Sequence, residues 1–347
     1  MNAPLLSLRD LAIAYAVGEG EVVAVDGASF DVAPGSIVGL VGESGCGKTT
    51  LARSLTRVLA GNARVARGQA VFDGTDIMAL PEREMNALRW RDIAFIPQSA
   101  MNSLDPVYTV GNQLREVLIK RGGLSRSKAR ARTHELFEWV GIEPSRLGDY
   151  PHQFSGGMRQ RVAIALALAL DPKLIIADEP VTALDVIVQR QILDQLKDLR
   201  DRLGISVILV THDISVVAYI CDRVVVMYAG KVVESGPMAA TLTSPAHPYT
   251  MGLRNAFPDL ARAAGELTPI HGAPPNLMSP PPGCRFAPRC PFARSRCSAT
   301  VPELQDLGET HLAACHQLDE REALRARALR SETWAAKGVD DVGSSAR

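Results

Sequence analysis

Most of this sequence alternates between short runs of apolar residues and longer stretches in which apolar residues recur at helical spacing. The continuous runs Ile37–Val41 and Leu174–Ala177 are typical of parallel strands that are buried in a sheet. Similar runs occur within "SVILVTHD" and "VVVMYAGKVVESG". Helical spacing is clearest for one set of apolar residues, namely Ile187, Ile192, Leu196, Leu199 and Leu203. The pattern therefore predicts an α/β fold built on a mixed parallel sheet.

The same pattern divides the chain into regions. Residues 99 to about 171 are rich in helical pattern, and we expect them to form a helical subdomain inserted into the sheet domain. Residues 273–284 contain too many prolines for a helix interior, which indicates a linker. We therefore predict a main domain over residues 1–260, a small cysteine-rich extension over 261–325, and a charged helix with a mobile tail over 326–347.

Composition and charge narrow the possible functions. The 347 residues include 38 Lys plus Arg and 38 Asp plus Glu, a balance that argues against a general nucleic-acid or anionic-membrane surface. The longest apolar run, Val162–Leu170, is too short to span a bilayer. The N-terminus has no basic segment followed by an apolar core, so we expect no signal peptide. These features predict a cytosolic protein that reaches membranes only through partners.

The segment "GESGCGKT" completes the motif G-x-x-x-x-G-K-(S/T) between a predicted strand and a predicted helix. Glycines let backbone N–H groups converge on phosphate oxygens at a helix N-terminus, where the helix dipole favours anions. Lys48 can reach the β- and γ-phosphates, and Thr49 can place its hydroxyl on Mg²⁺. The alternative is a glycine-rich turn without a ligand. The residues of this region that we predict to bind ATP are Gly42, Glu43, Ser44, Gly45, Cys46, Gly47, Lys48, Thr49 and Thr50.

Two acidic residues, Asp178 and Glu179, follow the apolar run Leu174–Ala177. The carboxyl ends of parallel strands are where open α/β sheets bind ligands. We predict that Asp178 holds Mg²⁺ through water and that Glu179 polarises the attacking water as a general base. A strand ending in two acids could otherwise be only the capped start of a helix.

Ser155, Gly156 and Gly157 precede a second apolar-periodic helix, whose first N–H groups are free to meet an anion. A P-loop, a Ser-Gly-Gly segment and a strand that ends in Asp-Glu together resemble the nucleotide-binding domain of ABC transporters. In that family two domains dimerise head to tail, and the signature segment of one faces the P-loop of the other across ATP. The family signature is commonly Leu-Ser-Gly-Gly-Gln, and this chain departs from it with methionine at the last position. The residues that the resemblance assigns to the partner's ATP, from the signature and the D-loop, are Ser155, Gly156, Gly157, Met158 and Asp185.

The resemblance places three further residues. Gln98 in "IAFIPQ" matches the Q-loop glutamine, which touches Mg²⁺ and the membrane partner. His212 in "VILVTHD" matches the switch histidine that contacts the γ-phosphate. Tyr15 matches the aromatic residue that stacks on adenine, although a lone tyrosine in a strand can equally belong to the core. The resemblance thus implies a hydrolytically active subunit in which Lys48, Glu179 and His212 are catalytic, with Thr49, Gln98 and Asp178 around Mg²⁺.

Two segments narrow the resemblance to ATP-binding subunits of dipeptide and oligopeptide importers, within the peptide/nickel importer subfamily. They are "PQSAMNSLDPVYTVGNQL" and "HPYTMGL", the latter followed by the proline-rich linker and the cysteines. The resemblance implies two integral-membrane permease subunits, a second ATPase subunit that is a paralogue, and indirectly an extracytoplasmic substrate-binding protein. It also implies a peripheral position on the cytoplasmic face of the inner membrane. Nickel or oligosaccharide import remains open. Outside this role, the alternatives are a soluble ABC ATPase acting on DNA or ribosomes, and an iron–sulfur protein with a vestigial ATPase.

Four of the six cysteines, Cys284, Cys290, Cys297 and Cys315, lie in one C-terminal stretch. Their spacings, C-x5-C, C-x6-C and C-x17-C, lack the tight pair that structural zinc sites usually contain. A 4Fe–4S cluster takes four cysteines, and the resemblance to peptide importers implies such a cluster here. Zinc, with His311 or His316 replacing one thiol, and unliganded thiols are the alternatives. Four positive side chains lie between the cysteines and could stabilise thiolates or a net-negative cluster, or else form a solvated surface, namely Arg285, Arg289, Arg294 and Arg296.

Overall fold

The computed structural model describes residues 3–98, 103–182, 184–256 and 269–335. A four-stranded antiparallel sheet has the spatial order β2-β1-β4-β5, with β1 at Leu6–Val17, β2 at Gly20–Val32, β4 at Ala63–Phe72 and β5 at Thr75–Asp76. The larger sheet has the order β11-β12-β10-β9-β3-β8-β7-β6. Its strands are β3 (Ile37–Val41), β6 (Ile93–Ile96), β7 (Leu174–Asp178), β8 (Ser206–Thr211), β9 (Arg223–Tyr228), β10 (Lys231–Pro237), β11 (Gln305–Asp306) and β12 (Leu312–Ala313).

The larger sheet confirms the predicted mixed parallel core. Strands β9, β3, β8, β7 and β6 pair in parallel, and β10 turns back antiparallel to β9. Every residue of β3, β7 and β8 is buried, which explains their continuous apolar sequences. Because parallel strands end at one edge, the residues at the carboxyl ends of β3, β7 and β8 are brought to the same place.

The helices of the described residues cover the sheets and form the region between β6 and β7. They are α1 (Lys48–Ser54), α2 (Glu82–Leu88), α3 (Val110–Lys120), α4 (Arg126–Trp139), α5 (Gly156–Ala167), α6 (Val186–Leu203), α7 (Ile214–Ile220), α8 (Met238–Thr243), α9 (Pro248–Asn255), α10 (Ser295–Ala299), α11 (Arg321–Ala328) and α12 (Ser331–Trp334). Helices α3, α4 and α5 pack on one another within the range predicted for the helical subdomain. Within the described ranges, no helix is long and apolar enough to cross a membrane.

Helix α6 corrects one detail of the sequence pattern. Ile192, Leu196 and Leu199 are buried as expected, but Ile187 is 72% exposed. A spacing of five residues rotates Ile187 by about 140° from Ile192 around the helix axis, so the two cannot share one face. Ile187 therefore belongs to helix α6, as the spacing predicts, but lies off its buried face.

The C-terminal extension is continuous with the core. Strand β12 pairs with β10, so that Ala313 lies opposite Glu234 at the edge of the larger sheet. Helix α11 crosses the boundary predicted at residues 325/326 and packs against α9. The proline-rich residues 273–284 contain no helix or strand, as predicted. The predicted mobile tail lies outside the described residues beyond Ala335.

A buried carboxylate fastens the extension. Glu234 is fully buried and accepts hydrogen bonds from the backbone N–H groups of Ala246 at 2.8 Å and His247 at 2.9 Å. His311 of the extension contacts the same carboxylate through Nε2 at 2.8 Å. Since a buried acid is costly unless it is well hydrogen-bonded, this carboxylate ties three segments together.

Candidate active site

The loop between β3 and α1 has no room for an added side chain at two of its glycines. A Cβ on Gly47, whose φ is +102°, would lie 2.2 Å from the carbonyl oxygen of Ala24. A Cβ on Gly42 would lie 2.1 Å from the carbonyl oxygen of Met227. Both glycines are therefore required by close approach of the loop to β2 and β9, and Gly47 also by its left-handed backbone.

Lys48 is buried within this loop. Its ammonium donates hydrogen bonds to the carbonyl oxygens of Gly42 at 2.7 Å and Glu43 at 2.9 Å. Burial raises the pKa of the neighbouring Cys46 thiol, which keeps this small loop residue uncharged. The positive charge of Lys48 is thus held at the loop, where a phosphate cradle requires it.

Thr49 and Asp178 lie side by side at the ends of α1 and β7. The Thr49 hydroxyl donates to Asp178 Oδ1 at 3.1 Å. The other oxygen, Asp178 Oδ2, is buried and accepts no hydrogen bond from the residues that the structure describes. Burial raises the pKa of Asp178. A carboxylate with an orphaned oxygen beside a threonine hydroxyl suits the oxygen-ligand chemistry of Mg²⁺.

Glu179 collects three side chains around one carboxylate. It accepts hydrogen bonds from Gln98 Nε2 at 3.1 Å and from the Thr182 hydroxyl at 2.9 Å, both at Oε2. His212 Nδ1 lies 3.0 Å from Oε1. Burial acts to raise the pKa of Glu179, but the hydrogen bonds from His212 and Thr182 outweigh it and lower this pKa. The carboxylate is therefore ionised at neutral pH, as a general base must be.

The backbone at Glu179 is strained. Its φ of +49° is in the left-handed region, which is uncommon for a residue with a long side chain. Strain of this kind persists only where the surroundings enforce it, and here the backbone N–H of Glu179 bonds the carbonyl of Val210 at 2.8 Å. The turn at the end of β7 thus aims the carboxylate at Gln98 and His212.

Tyr15 lies beside the first turn of α1. Its hydroxyl is 3.2 Å from Thr50 Oγ1, and its ring is partly buried against the core. The structure therefore places Tyr15 beside the helix that follows the P-loop, while part of the ring remains accessible.

The signature residues form a separate helix start. Ser155 caps α5, with its hydroxyl accepting from the backbone N–H of Met158 at 3.3 Å. Asp185 caps α6 in the same way, through the N–H of Val188 at 2.9 Å. Helix α5 packs on α3, α4 and α6, whereas α1 packs on β1, β2, β7 and β8. The signature and the P-loop of one chain thus belong to different parts of the molecule.

Three contacts at the site were not predicted from the sequence. Thr182 holds Glu179, and Tyr249 accepts a hydrogen bond from the backbone N–H of Glu43 at 2.9 Å. Arg289 donates to Glu43 Oε2 at 2.8 Å. Tyr249 lies in the segment "HPYTMGL" and Arg289 lies among the clustered cysteines, so the sequence does not mark either residue as a neighbour of the P-loop. No periodic pattern connects residues that are so far apart along the chain.

The four C-terminal cysteines are free thiols. Burial raises the pKa of Cys290 to about 12 and that of Cys315 to about 11, and the neighbouring cysteines add to both effects. The predicted stabilisation of thiolates by arginine is not what the structure shows. Three of the arginines pair with carboxylates and the fourth is exposed: Arg285 with Asp26, Arg289 with Glu43, Arg294 with Glu320, and Arg296 in solvent.

Zinc does not fit this region. Across the described ranges, no group of three or more His, Cys, Asp or Glu side chains could hold a metal ion. The two histidines proposed as replacement ligands have other partners. His311 contacts Glu234, and His316 Nε2 lies 2.8 Å from the carbonyl oxygen of Thr300. The zinc alternative thus lacks a ligand set.

The geometry at the strand ends suits transfer of a phosphoryl group to water. A lysine in a glycine loop, an acid poised for Mg²⁺ and an ionised glutamate beside a histidine are the parts that such chemistry needs. The class of protein is therefore a P-loop ATPase.

Comparisons with known proteins refine this class. The sequence model of the ABC transporter family matches residues 25–182, and that of the oligopeptide/dipeptide transporter C-terminal region matches residues 233–297. The chain is 44% identical over 320 residues to the dipeptide transport ATP-binding protein DppD of Bacillus subtilis, covering 91% of this chain and 96% of the relative. It is 45% identical over 313 residues to the oligopeptide transport ATP-binding protein OppD of Salmonella typhimurium, covering 90% and 93%.

Solved structures agree with the fold. The dimeric bacterial ABC transporter cassette MJ0796 superposes with a TM-score of 0.61 at 30% identity, covering 67% of this chain and 98% of that chain. A dimeric post-hydrolysis state of the same cassette, bound to ADP and Pi, gives a TM-score of 0.60 at 29% identity, with the same shares of the two chains covered. The chain belongs to the ATP-binding subunits of dipeptide and oligopeptide ABC transporters, and it is an ATPase.

Proposed function

We propose that this chain hydrolyses ATP to drive the import of dipeptides or oligopeptides through a membrane permease. The observation that carries the proposal is the likeness to DppD and OppD, which extends over about nine-tenths of the chain and includes the C-terminal region. The ATPase itself does not touch the cargo, so nickel or oligosaccharide import by the same engine is the second candidate.

The site residues would divide the chemistry among them. Lys48 binds the β- and γ-phosphates, and Asp178 holds Mg²⁺ with Thr49 and Gln98. Glu179 accepts the proton of the attacking water. His212 orients the carboxylate of Glu179 through the contact between its Nδ1 and Oε1 of that carboxylate. Tyr15 stacks on the adenine ring. The ionised state of Glu179 and the orphaned oxygen of Asp178 support these roles.

We infer that a second ATPase subunit completes the site. The first turn of α5, at Ser155–Met158, presents N–H groups that would neutralise the far side of the triphosphate. Because these N–H groups belong to the backbone, Met158 can replace the usual glutamine without removing them. At the start of α6, Val186 is 79% exposed, which suits a face covered by a partner. Family precedent favours a paralogue as that partner.

A permease would dock beside the Q-loop. Val107 and Tyr108 are 70% and 55% exposed, and Gln113 holds their loop by bonding the carbonyl oxygens of Asp105 at 2.9 Å and Tyr108 at 3.0 Å. We expect Val107→Asp to release the membrane partner while MgATP affinity is kept. Val58→Asp, at a similarly exposed valine after α1, is the matched control. Equal loss of the partner in both variants would refute this surface.

The four cysteines suit a 4Fe–4S cluster better than a single ion. Each sulfur has backbone N–H donors near it, including Arg294 N–H at 3.5 Å from Cys297 Sγ and Gln317 N–H at 3.4 Å from Cys315 Sγ. Such donors stabilise metal-bound thiolates. Each iron of the cluster needs only one cysteine, so no two sulfurs have to meet at one ion. When bound, the cluster would supply four iron–thiolate bonds that cross-link the extension.

Metal analysis tests the cluster. Anaerobically purified protein should contain about four iron and four acid-labile sulfide per chain, and Cys290→Ser should lose both. One zinc without sulfide, or no metal at all, would remove the cluster but leave the ATPase assignment intact.

Affinity purification from membranes tests the import function. The tagged chain should bring down integral-membrane permease subunits and a second ATPase. In liposomes containing that complex and its binding protein, peptides should stimulate ATP hydrolysis, whereas nickel and oligosaccharides should not. Recovery of ribosomes or nucleic acid in place of membrane proteins would contradict the transport role.

A further inference from the structure

The cysteine-rich extension reaches into the P-loop through one arginine. Arg289 directly precedes Cys290, yet its guanidinium donates to the carboxylate of Glu43 at 2.8 Å. The arginine side chain is only 7% exposed and that of Glu43 is 25% exposed. An ion pair in such surroundings is much less screened by water than a surface pair.

Arg289 is held in place by the rest of its guanidinium. It donates to the carbonyl oxygens of Ile270 and His271, each at 3.0 Å, and to the hydroxyl of Tyr228 at 3.2 Å. With these bonds the planar fork has a single orientation. The arginine is therefore a fixed positive charge beside Glu43.

A second arginine of the extension, Arg285, supports the P-loop indirectly, through the turn between β9 and β10. Arg285 donates to the carbonyl oxygen of Ala229 and to Asp26 at 2.7 Å. The next residue, Gly230, donates its N–H to the carbonyl oxygen of Cys46 in the P-loop at 2.9 Å. The side chain of Arg285 thus supports the turn at Ala229 and Gly230, and that turn contacts the nucleotide loop through its backbone.

We propose that Arg289 is a positioning residue for nucleotide binding, which neutralises Glu43 and thereby couples the cysteine-rich extension to MgATP affinity. A carboxylate within a phosphate-binding loop repels the triphosphate unless a cation compensates it. Arg289 supplies that cation from the far end of the chain. The inference rests on the P-loop being the nucleotide site.

Equilibrium binding of MgATP to the full-length protein tests the proposal. We expect Arg289→Gln to weaken binding about 10-fold, since coupling of this kind ranges over roughly 5–150-fold. Glu43→Gln in the same protein should restore the affinity, because the repulsive charge is then gone. At saturating ATP, kcat should change by less than about twofold, because Glu179 and His212 are untouched.

Arg294→Gln is the matched control. It breaks an ion pair of the same extension, with Glu320 at 2.6 Å, but that pair is exposed and has no contact with the P-loop. This variant should bind MgATP like the wild type. A wild-type affinity in Arg289→Gln, or a double variant that binds as weakly as Arg289→Gln, would overturn the proposal.

Two further variants keep the test decisive. If Arg289→Gln does not fold, Glu43→Gln alone decides, because the unopposed charge of Arg289 should then attract the triphosphate and tighten MgATP binding, and an affinity that does not rise would count against the proposal. A loss of about 10-fold there would overturn the proposal. Lys48→Ala checks the underlying site. If that variant bound MgATP normally, the P-loop assignment would fail regardless of Arg289.

The proposed coupling also predicts how a cysteine substitution affects MgATP binding. Cys290→Ser should weaken MgATP binding by displacing the adjacent Arg289, and Glu43→Gln should suppress that effect. If Cys290→Ser weakened binding equally in both backgrounds, the cysteines would act by another route, and the proposed coupling through this ion pair would be refuted.

Discussion

Gly157 of the signature segment allows a direct test of how α5 and α6 are packed. A Cβ at this position would lie 2.5 Å from Cγ1 of Val188. Carbon atoms in contact are normally about 3.5–4.0 Å apart, so Gly157→Ala requires a displacement of about 1 Å or more. Overpacking of this size costs about 1–3 kcal/mol of unfolding free energy.

The displacement would also move the capped first turn of α5. Ser155 and Met158 are joined by the cap hydrogen bond, so both shift with Gly157. Because those N–H groups are proposed to serve the partner's ATP, the ATPase rate of the assembled complex should fall more than MgATP binding to the isolated chain.

Urea unfolding and ATPase assays on a double-mutant cycle measure both effects. Val188→Ala removes the methyl group in the way, so the pair Gly157→Ala with Val188→Ala should be more stable than the sum of the single changes, by about 0.5–3 kcal/mol. Additive losses, or a Gly157→Ala variant as stable as the wild type, would refute the packing argument.

Substitutions at three other residues probe separate features. Glu179→Gln should lower the hydrolysis rate by about 10²–10⁴-fold while MgATP binding persists, as rate and binding assays would show; continued turnover would exclude Glu179 as the base. Burial acts to raise the pKa of Asp26, but neighbouring cations hold it at about 2, below its ordinary 3.8. Its stabilisation is present above about pH 4 and lost as pH falls towards 2, so Asp26→Asn should cost about 2 kcal/mol at pH 7 and little at pH 2, measured by urea unfolding. Tyr15→Ala should weaken MgATP binding several-fold, whereas Tyr15→Phe should not, because it keeps the ring. An equal loss in Tyr15→Phe would show that the hydroxyl contact with Thr50 matters and not the ring.

The positions of the site residues could be predicted from the sequence where those residues are contiguous or directly follow a strand. The P-loop and the pair Asp178–Glu179 are of this kind, because a strand, a turn and a helix start are encoded locally. The contact of Glu43 with Arg289 spans 246 positions, and no periodicity connects two such residues. Helical spacing indicates α6 correctly, but it does not show that Ile187 faces away from the core.

The boundary predicted at residues 260/261 follows a change of composition, and residues 257–268 lie outside the described ranges. From residue 269 onward, the described residues form only short elements, and proline and cysteine are frequent there. The core nevertheless depends on the extension, since His311 contacts the buried Glu234 and Arg285 pairs with Asp26. Removing the extension would leave Glu234 without His311 and Asp26 without Arg285, and loss of a partner from a buried or partly buried carboxylate is destabilising. The extension therefore contributes to the stability of the ATPase domain. Because it packs on that domain, a segment so far along the chain can reach the nucleotide site.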